Sequence, residues 1–323
     1  MITRRAFLAA SAVAAGSLTA AEPTRKARIA ITLDLEMSRN FPRWEDTHWD
    51  YEKGNLNDET KKYTLEACRR IKKAGGAAHC FVVGRVLEQP DVDWLKQLAL
   101  AGHALGNHTY DHVNVLATKP EDIQFRFRRS PWLIEGKSSR DVIAENIRVT
   151  NAALKTRVGV DANGFRTPGG FANGLKDRPD IQKMLLELGF RWVSSQYPAH
   201  PIPKPEQEPD AATIAKIVDV SKATQPIAYP TGLVEIPMSP VSDINAFRTG
   251  RWKLEWFLKT IRAIVESTIS NSGVFDFLCH PSCMYVVDPQ FQTIDTICEL
   301  VQKSAGKAEI VTLDAIARPM LKT

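Results

Sequence analysis

Between Arg28 and Leu313 short apolar runs alternate with stretches of helical period. This alternation constrains the fold most, because strands linked through helices pair in parallel. Arg28-Ile29-Ala30-Ile31-Thr32-Leu33 reads as a buried, β-branched strand. Further strands are expected at Ala77–Val83, His103–Asn107, Asp161–Arg166, Phe190–Ser194, Leu233–Met238, Val274–Cys279 and Glu309–Leu313. Asn57 or Asp58 can cap a helix that Gly75-Gly76 ends, and Gly102 stops a second over 91–101. Residues 139–155 put Val142, Ile143, Ile147 and Leu154 at helical spacing, and further helices are expected at 179–188, 252–270 and 291–304. The whole predicts an α/β chain. Its simplest form is a distorted, TIM-like (β/α) barrel of seven or eight strands with long loop insertions.

Three insertions interrupt the pattern. Residues 37–57 carry Phe41, Trp44, His48, Trp49 and Tyr51, and form either a substrate wall or a satellite apolar cluster. Residues 119–137 mix Phe125, Phe127 and Trp132 with Arg126, Arg128 and Arg129. They read as a solvated loop with ring anchors in preference to a saccharide shelf. Gln196 to Pro230 is Pro-rich and reads as an excursion or lid.

The residues of chemical interest follow strand ends: Asp34, Glu36, His108, His112, Arg166 and His280. In a parallel barrel the carboxyl ends of the strands share one mouth, so these groups should converge. Asp34 and Glu36 are two apart and project to one side. His108 and His112 are four apart; on a helical turn both rings could reach one ion. With seven histidines in the chain that spacing also arises by chance. Asp34 and Glu36 could merely cap a turn, and His280 before Pro281 could be a buried, hydrogen-bonded ring. His79 and Cys80 lie within a strand and read as core. His48 and His200 are given no role.

The chain of 323 residues is 44% hydrophobic and 24% charged, ordinary for a globular protein with a full core. A formal charge of +5, spread along the chain, gives no sign of a nucleic-acid partner. Arg4-Arg5 before the small, apolar run to Ala21 predicts a Tat-type export signal over 1–22, leaving 23–323 as the catalytic domain in the periplasm or outside the cell. That run is too short to span a bilayer, and no later segment reads as membrane-spanning. Five cysteines without Cys-x-x-Cys spacing predict mostly buried free thiols, with at most one or two disulfides.

Taken together, Thr32-x-Asp34-x-Glu36, His108-x-x-x-His112, Gly164-Phe165-Arg166-Thr167-Pro168-Gly169-Gly170 and Leu278-Cys279-His280-Pro281 resemble, in order, the motifs of the polysaccharide deacetylase family with NodB homology, grouped with carbohydrate esterase family four. The resemblance implies Asp34 as general base, Glu36, His108 and His112 as metal ligands, and Arg166 as the group that orients the base. It implies Gly169 as an oxyanion donor through its backbone N–H, and His280 as general acid. The implied cofactor is a divalent metal: zinc, with cobalt or nickel as alternatives. Three departures from the family pattern stand out. Leu35 separates acids that are more often adjacent. Arg191-Trp192-Val193-Ser194-Ser195 lacks the acid that tethers the arginine. Gly169 replaces an aromatic residue.

Three functions fit these residues. The first is metal-dependent N-deacetylation of an N-acetylated amino sugar in a polysaccharide or cell-wall glycan. The second is hydrolysis of a small cyclic amide, allantoinase-like and with or without a metal. The third is an inactive, glycan-binding barrel.

Overall fold

The computed structural model describes residues 25–47 and 52–321. The export signal expected over 1–22, and His48, Trp49 and Tyr51 of the first insertion, lie outside the described residues.

Among the described residues nine strands form one sheet: β1 Ala27–Leu35, β2 His79–Val82, β3 Ala104–Asn107, β4 Phe165–Phe171, β5 Trp192–Gln196, β6 Ile227–Ala228, β7 Val234–Glu235, β8 Val274–Cys279 and β9 Ala308–Ile310. Their order is β6-β7-β5-β4-β3-β2-β1-β8, with β9 paired to the start of β1. Every pairing is parallel except β6 with β7. Eight parallel strands therefore curl as the barrel reading expects, but β7 and β8 share no strand ladder. Pro237 and Pro240 bracket the chain there and have no N–H to offer a ladder. Ser239 closes the gap instead: its N–H donates to the Asp276 carbonyl at 2.8 Å, and its hydroxyl accepts from Leu278 N–H at 3.3 Å.

Side-chain alternation along β1 sorts the chemistry. Ile29, Ile31, Leu33 and Leu35 point outward into the main core beneath the helices Asp58–Lys73, Leu254–Ser270 and Gln292–Lys303. Ala30 packs with Phe81, Trp192, Leu313 and Ile316, which plug the lower barrel. Thr32 and Asp34, in the same alternating set, head the plug with polar groups. His79 and Cys80 are fully buried core residues, and His79 stacks on Phe81 at 4.5 Å. All five cysteines are free and buried.

Two expectations need correction. The Gln196–Pro230 excursion contains a helix, Ala211–Ala223, capped by the Asp210 carboxylate and burying Ile214 and Ile217. Its apolar spacing was masked by the prolines before it. The His108–His112 segment is not helical. It is an irregular turn in which Thr109 and His112 both have φ of 57°. Side chains drive that path: Asn107 Oδ1 accepts from Thr109 N–H, and Thr109 Oγ1 accepts from Val113 N–H. The 119–137 insertion forms short helices at Pro120–Ile123 and Phe125–Arg129; Phe127 anchors them while Trp132 stays exposed. No helix among the described residues is long and apolar enough to cross a membrane.

Candidate active site

A cavity of about 320 Å³ opens at the carboxyl ends of the strands. Asp34, Glu36, His108, His112, Gly169 and His280 all line it. Arg166 lies directly beneath, fully buried. The seven residues singled out in the sequence thus meet in one place.

Asp34 leaves the end of β1 with one oxygen, Oδ1, 3.2 Å from the Arg166 guanidinium. The other, Oδ2, lies 3.8 Å from His108 Nε2 and 4.0 Å from His280 Nε2. Burial raises the Asp34 pKa to about 6, against the pull of Arg166. A carboxylate near 6 is ionised at neutral pH yet can hold a proton.

Glu36, His108 and His112 place one ligand atom each within 4.8 Å of one another. His108 Nδ1 donates to the Arg166 carbonyl at 3.0 Å, which leaves Nε2 as a free lone pair facing the cavity. His112 Nε2 and Glu36 Oε2 approach to 2.7 Å, an ion-pair distance that a proton on the ring bridges when no metal is bound. Two imidazoles and a carboxylate are a donor set that zinc, cobalt or nickel accepts, so the residues fit the expected ion. The two imidazoles stand 5.1 Å apart, steeply tilted to each other. The convergence expected of a helical turn is thus achieved by a non-helical one. Burial opposes the charged form of Glu36, but His112 and Lys53 overcome it and hold the carboxyl well below its usual range. Burial and the charge of His112 push His108 well below the usual imidazole range.

Sequence reasoning missed three supporting groups. Asp276, on β8, grips Arg166 Nη2 and accepts from Thr32 Oγ1 at 2.7 Å. Thr32 and Ser194 accept from the guanidinium at 2.9 and 3.2 Å. The tethering acid missing beside Trp192 is therefore supplied from the other side of the barrel. The signal was present: Asp276 is a lone acid inside the apolar run Val274-Phe275-Asp276-Phe277-Leu278, and a buried acid needs a partner. Asp243 takes His280 Nδ1 at 3.0 Å and His280 N–H at 2.7 Å. Burial lowers the His280 pKa, but Asp243 more than offsets it, with Glu36 and Asp34 adding to the rise. Lys53, from the first insertion, reaches Glu36 Oε1 at 2.7 Å. Nothing in the local sequence around Lys53 or Asp243 marks either as part of the site.

Gly169 sits on the cavity wall with φ of 70°, where a side chain would be strained though nothing crowds it. Beside it, a Cβ on Gly170 would come within 2.3 Å of Tyr197, so that glycine is required for close packing.

Comparison with known proteins agrees with this architecture. The crystal structure of a Mycobacterium smegmatis protein assigned to the polysaccharide deacetylases superposes with a TM-score of 0.59, covering 93% of this chain and 92% of that one at 15% identity. The Puue allantoinase gives 0.55 at 13% identity, covering 92% and 91%. A chitooligosaccharide deacetylase of Azorhizobium caulinodans is 27% identical over 96 residues, a match that spans 44% of that protein and 29% of this one. The polysaccharide deacetylase family model matches residues 22–191, more than half of the chain. The chain belongs to the polysaccharide deacetylase family.

Proposed function

We propose that this protein hydrolyses a C–N amide bond, and that its substrate is an N-acetylated amino sugar in a polysaccharide or cell-wall glycan. One observation carries the reading: Asp34 Oδ2 lies within 4.0 Å of both the His108 ligand nitrogen and His280 Nε2. A base, a metal-binding face and an acid thus surround one small volume.

The roles follow from the contacts. Asp34, held by Arg166, takes a proton from the water that adds to the amide carbon. Arg166 keeps that carboxylate ionised, and Asp276 keeps the guanidinium in place. His280, held protonated by Asp243, gives its Nε2 proton to the departing amine, so the C–N bond breaks to acetate and free amine. The Gly169 turn is the expected donor to the oxyanion. Glu36, His108 and His112 would hold a divalent ion, with zinc first and cobalt or nickel as alternatives. That ion supplies Lewis acidity toward the carbonyl and an acidified water. Export through the Tat route, read from Arg4-Arg5, puts the enzyme where cell-wall glycan is found.

Lys53 favours a second reading. Its ammonium already compensates Glu36, as a site working without a metal would need. That site would act on a small cyclic amide. The inactive glycan-binding barrel is disfavoured, because acid, base and their positioning groups are all assembled.

Metal analysis and acetate release decide the matter. Purified protein should carry about one divalent ion, and chelation should abolish acetate release from acetylated glycan, with recovery on adding zinc. Full activity in the His108→Ala/His112→Ala double variant would falsify the metal-dependent reading.

A further inference from the structure

Among the described residues, the cavity wall holds one cation that the catalytic scheme leaves unused. Lys53 is committed to Glu36, Asp34 to Arg166, and His280 to Asp243. Arg248 also lines this cavity, yet it has no hydrogen bond or ion pair among the described residues. Asp243 and Glu36 act on it only from a distance.

Its placement is built rather than incidental. Arg248 sits on Ile244–Thr249, a single π-helical turn of a kind enriched at functional sites. The wider turn brings Ile244, Asn245 and Arg248 to the cavity together. The Pro-rich excursion braces that turn: Asn245 Nδ2 meets His200 Nε2 at 3.2 Å, and the Gly250 carbonyl accepts from Glu206 N–H at 2.9 Å. A half-buried guanidinium has lost part of its water, and its planar fork matches a carboxylate in bidentate fashion.

We propose that Arg248 binds an anionic group of the substrate, a carboxylate above all, so that the preferred substrate carries a negative charge close to the scissile acetamido group. This deepens the amide-hydrolase reading and rests on it. A neutral sugar would leave the guanidinium unpaired against the cavity wall, whereas a carboxylate fills it. Arg248 is then a specificity residue and takes no part in bond breaking.

The test compares two probes on the zinc-loaded full chain: an oligomer of N-acetylglucosamine, which is neutral, and N-acetylmuramic acid, which adds a carboxylate beside the acetamido group. The parent should prefer the acid in kcat/KM. The ratio of acid to neutral should fall about 10- to 100-fold in Arg248→Gln, through KM, with partial recovery in Arg248→Lys. A parent ratio at or below one overturns the proposal. So does an equal loss on both probes, which would mean that Arg248 serves the amide itself. If the parent turns over neither probe, the hydrolase reading fails. Calorimetric binding then decides the anion site alone: tighter binding of the acid to the parent than to Arg248→Gln supports it, and equal binding overturns it.

Discussion

The floor and the rim of this cavity are built differently. The floor consists of Thr32, Asp34, Arg166, Ser194 and Asp276, carried on or beside β1, β4, β5 and β8, and each is almost fully buried. The rim consists of Lys53, His112, Asp243 and Arg248, carried on turns and connections. Floor groups are held by parallel register: Arg166 stands level with Ser194, and Ala30 with Asp276. Lys53, His112 and Asp243 are held by side-chain contacts between segments distant in sequence, and Arg248 by the turn that carries it. The floor should therefore tie catalysis to stability, while the rim should tune catalysis with the fold intact.

The largest effect expected is on the floor. Asp34→Asn keeps shape and removes the base, so kcat should fall by about 10²–10⁴. Acetate release measures it, and a loss under tenfold would put the base elsewhere. Asp276→Ala tests the other half of the floor. It leaves the buried Arg166 with Asp34 as its remaining carboxylate and Nη2 without its acid, which costs up to about 3–5 kcal/mol, the figure for breaking a buried pair. A lower urea midpoint with unchanged slope is the readout. Unchanged stability would show that the floor is not a coupled unit.

The rim should respond through pH. Asp34 must be deprotonated to act, so the rate should fall as pH drops through about 6. His280 must be protonated, and its pKa is raised above its usual value, so the rate should fall again at higher pH. Removing the charge in Asp243→Asn takes away the main support of that rise. The alkaline limb should move to lower pH, narrowing the bell, with little change in unfolding midpoint. An alkaline limb that stays in place would exclude His280 as the acid. The smallest effect expected is from Lys53→Met. With the ammonium gone, Glu36 is freer to bind a cation, so zinc should bind more tightly, by up to about tenfold, in chelator competition. Weaker binding would instead make Lys53 a support of the ligand.

The same division explains what could be read in the chain. Asp34, Glu36 and Arg166 were legible because strand period and strand-end position fix where such groups point. His108 and His112 were found by spacing, although the helical turn assumed for them is absent. Local hydrogen bonds from Asn107 and Thr109 shape that segment, and residue period does not report them. Asp276 could have been found, since an acid in an apolar strand demands a partner. Lys53, Asp243 and Arg248 could not, because each depends on where a loop lands.

By itself the sequence determined the alternation of strand and helix, the parallel sheet, and the presence of carboxylate, imidazole and guanidinium groups at strand ends. Those are periodic or local properties, set within a few residues by sterics and burial. Tertiary structure alone decided that β7 and β8 fail to pair and that Asp276 replaces the absent tether. It also decided that Lys53 and Arg248 face the same cavity. Each of these brings together residues far apart along the chain, and only packing of the whole barrel fixes such distances.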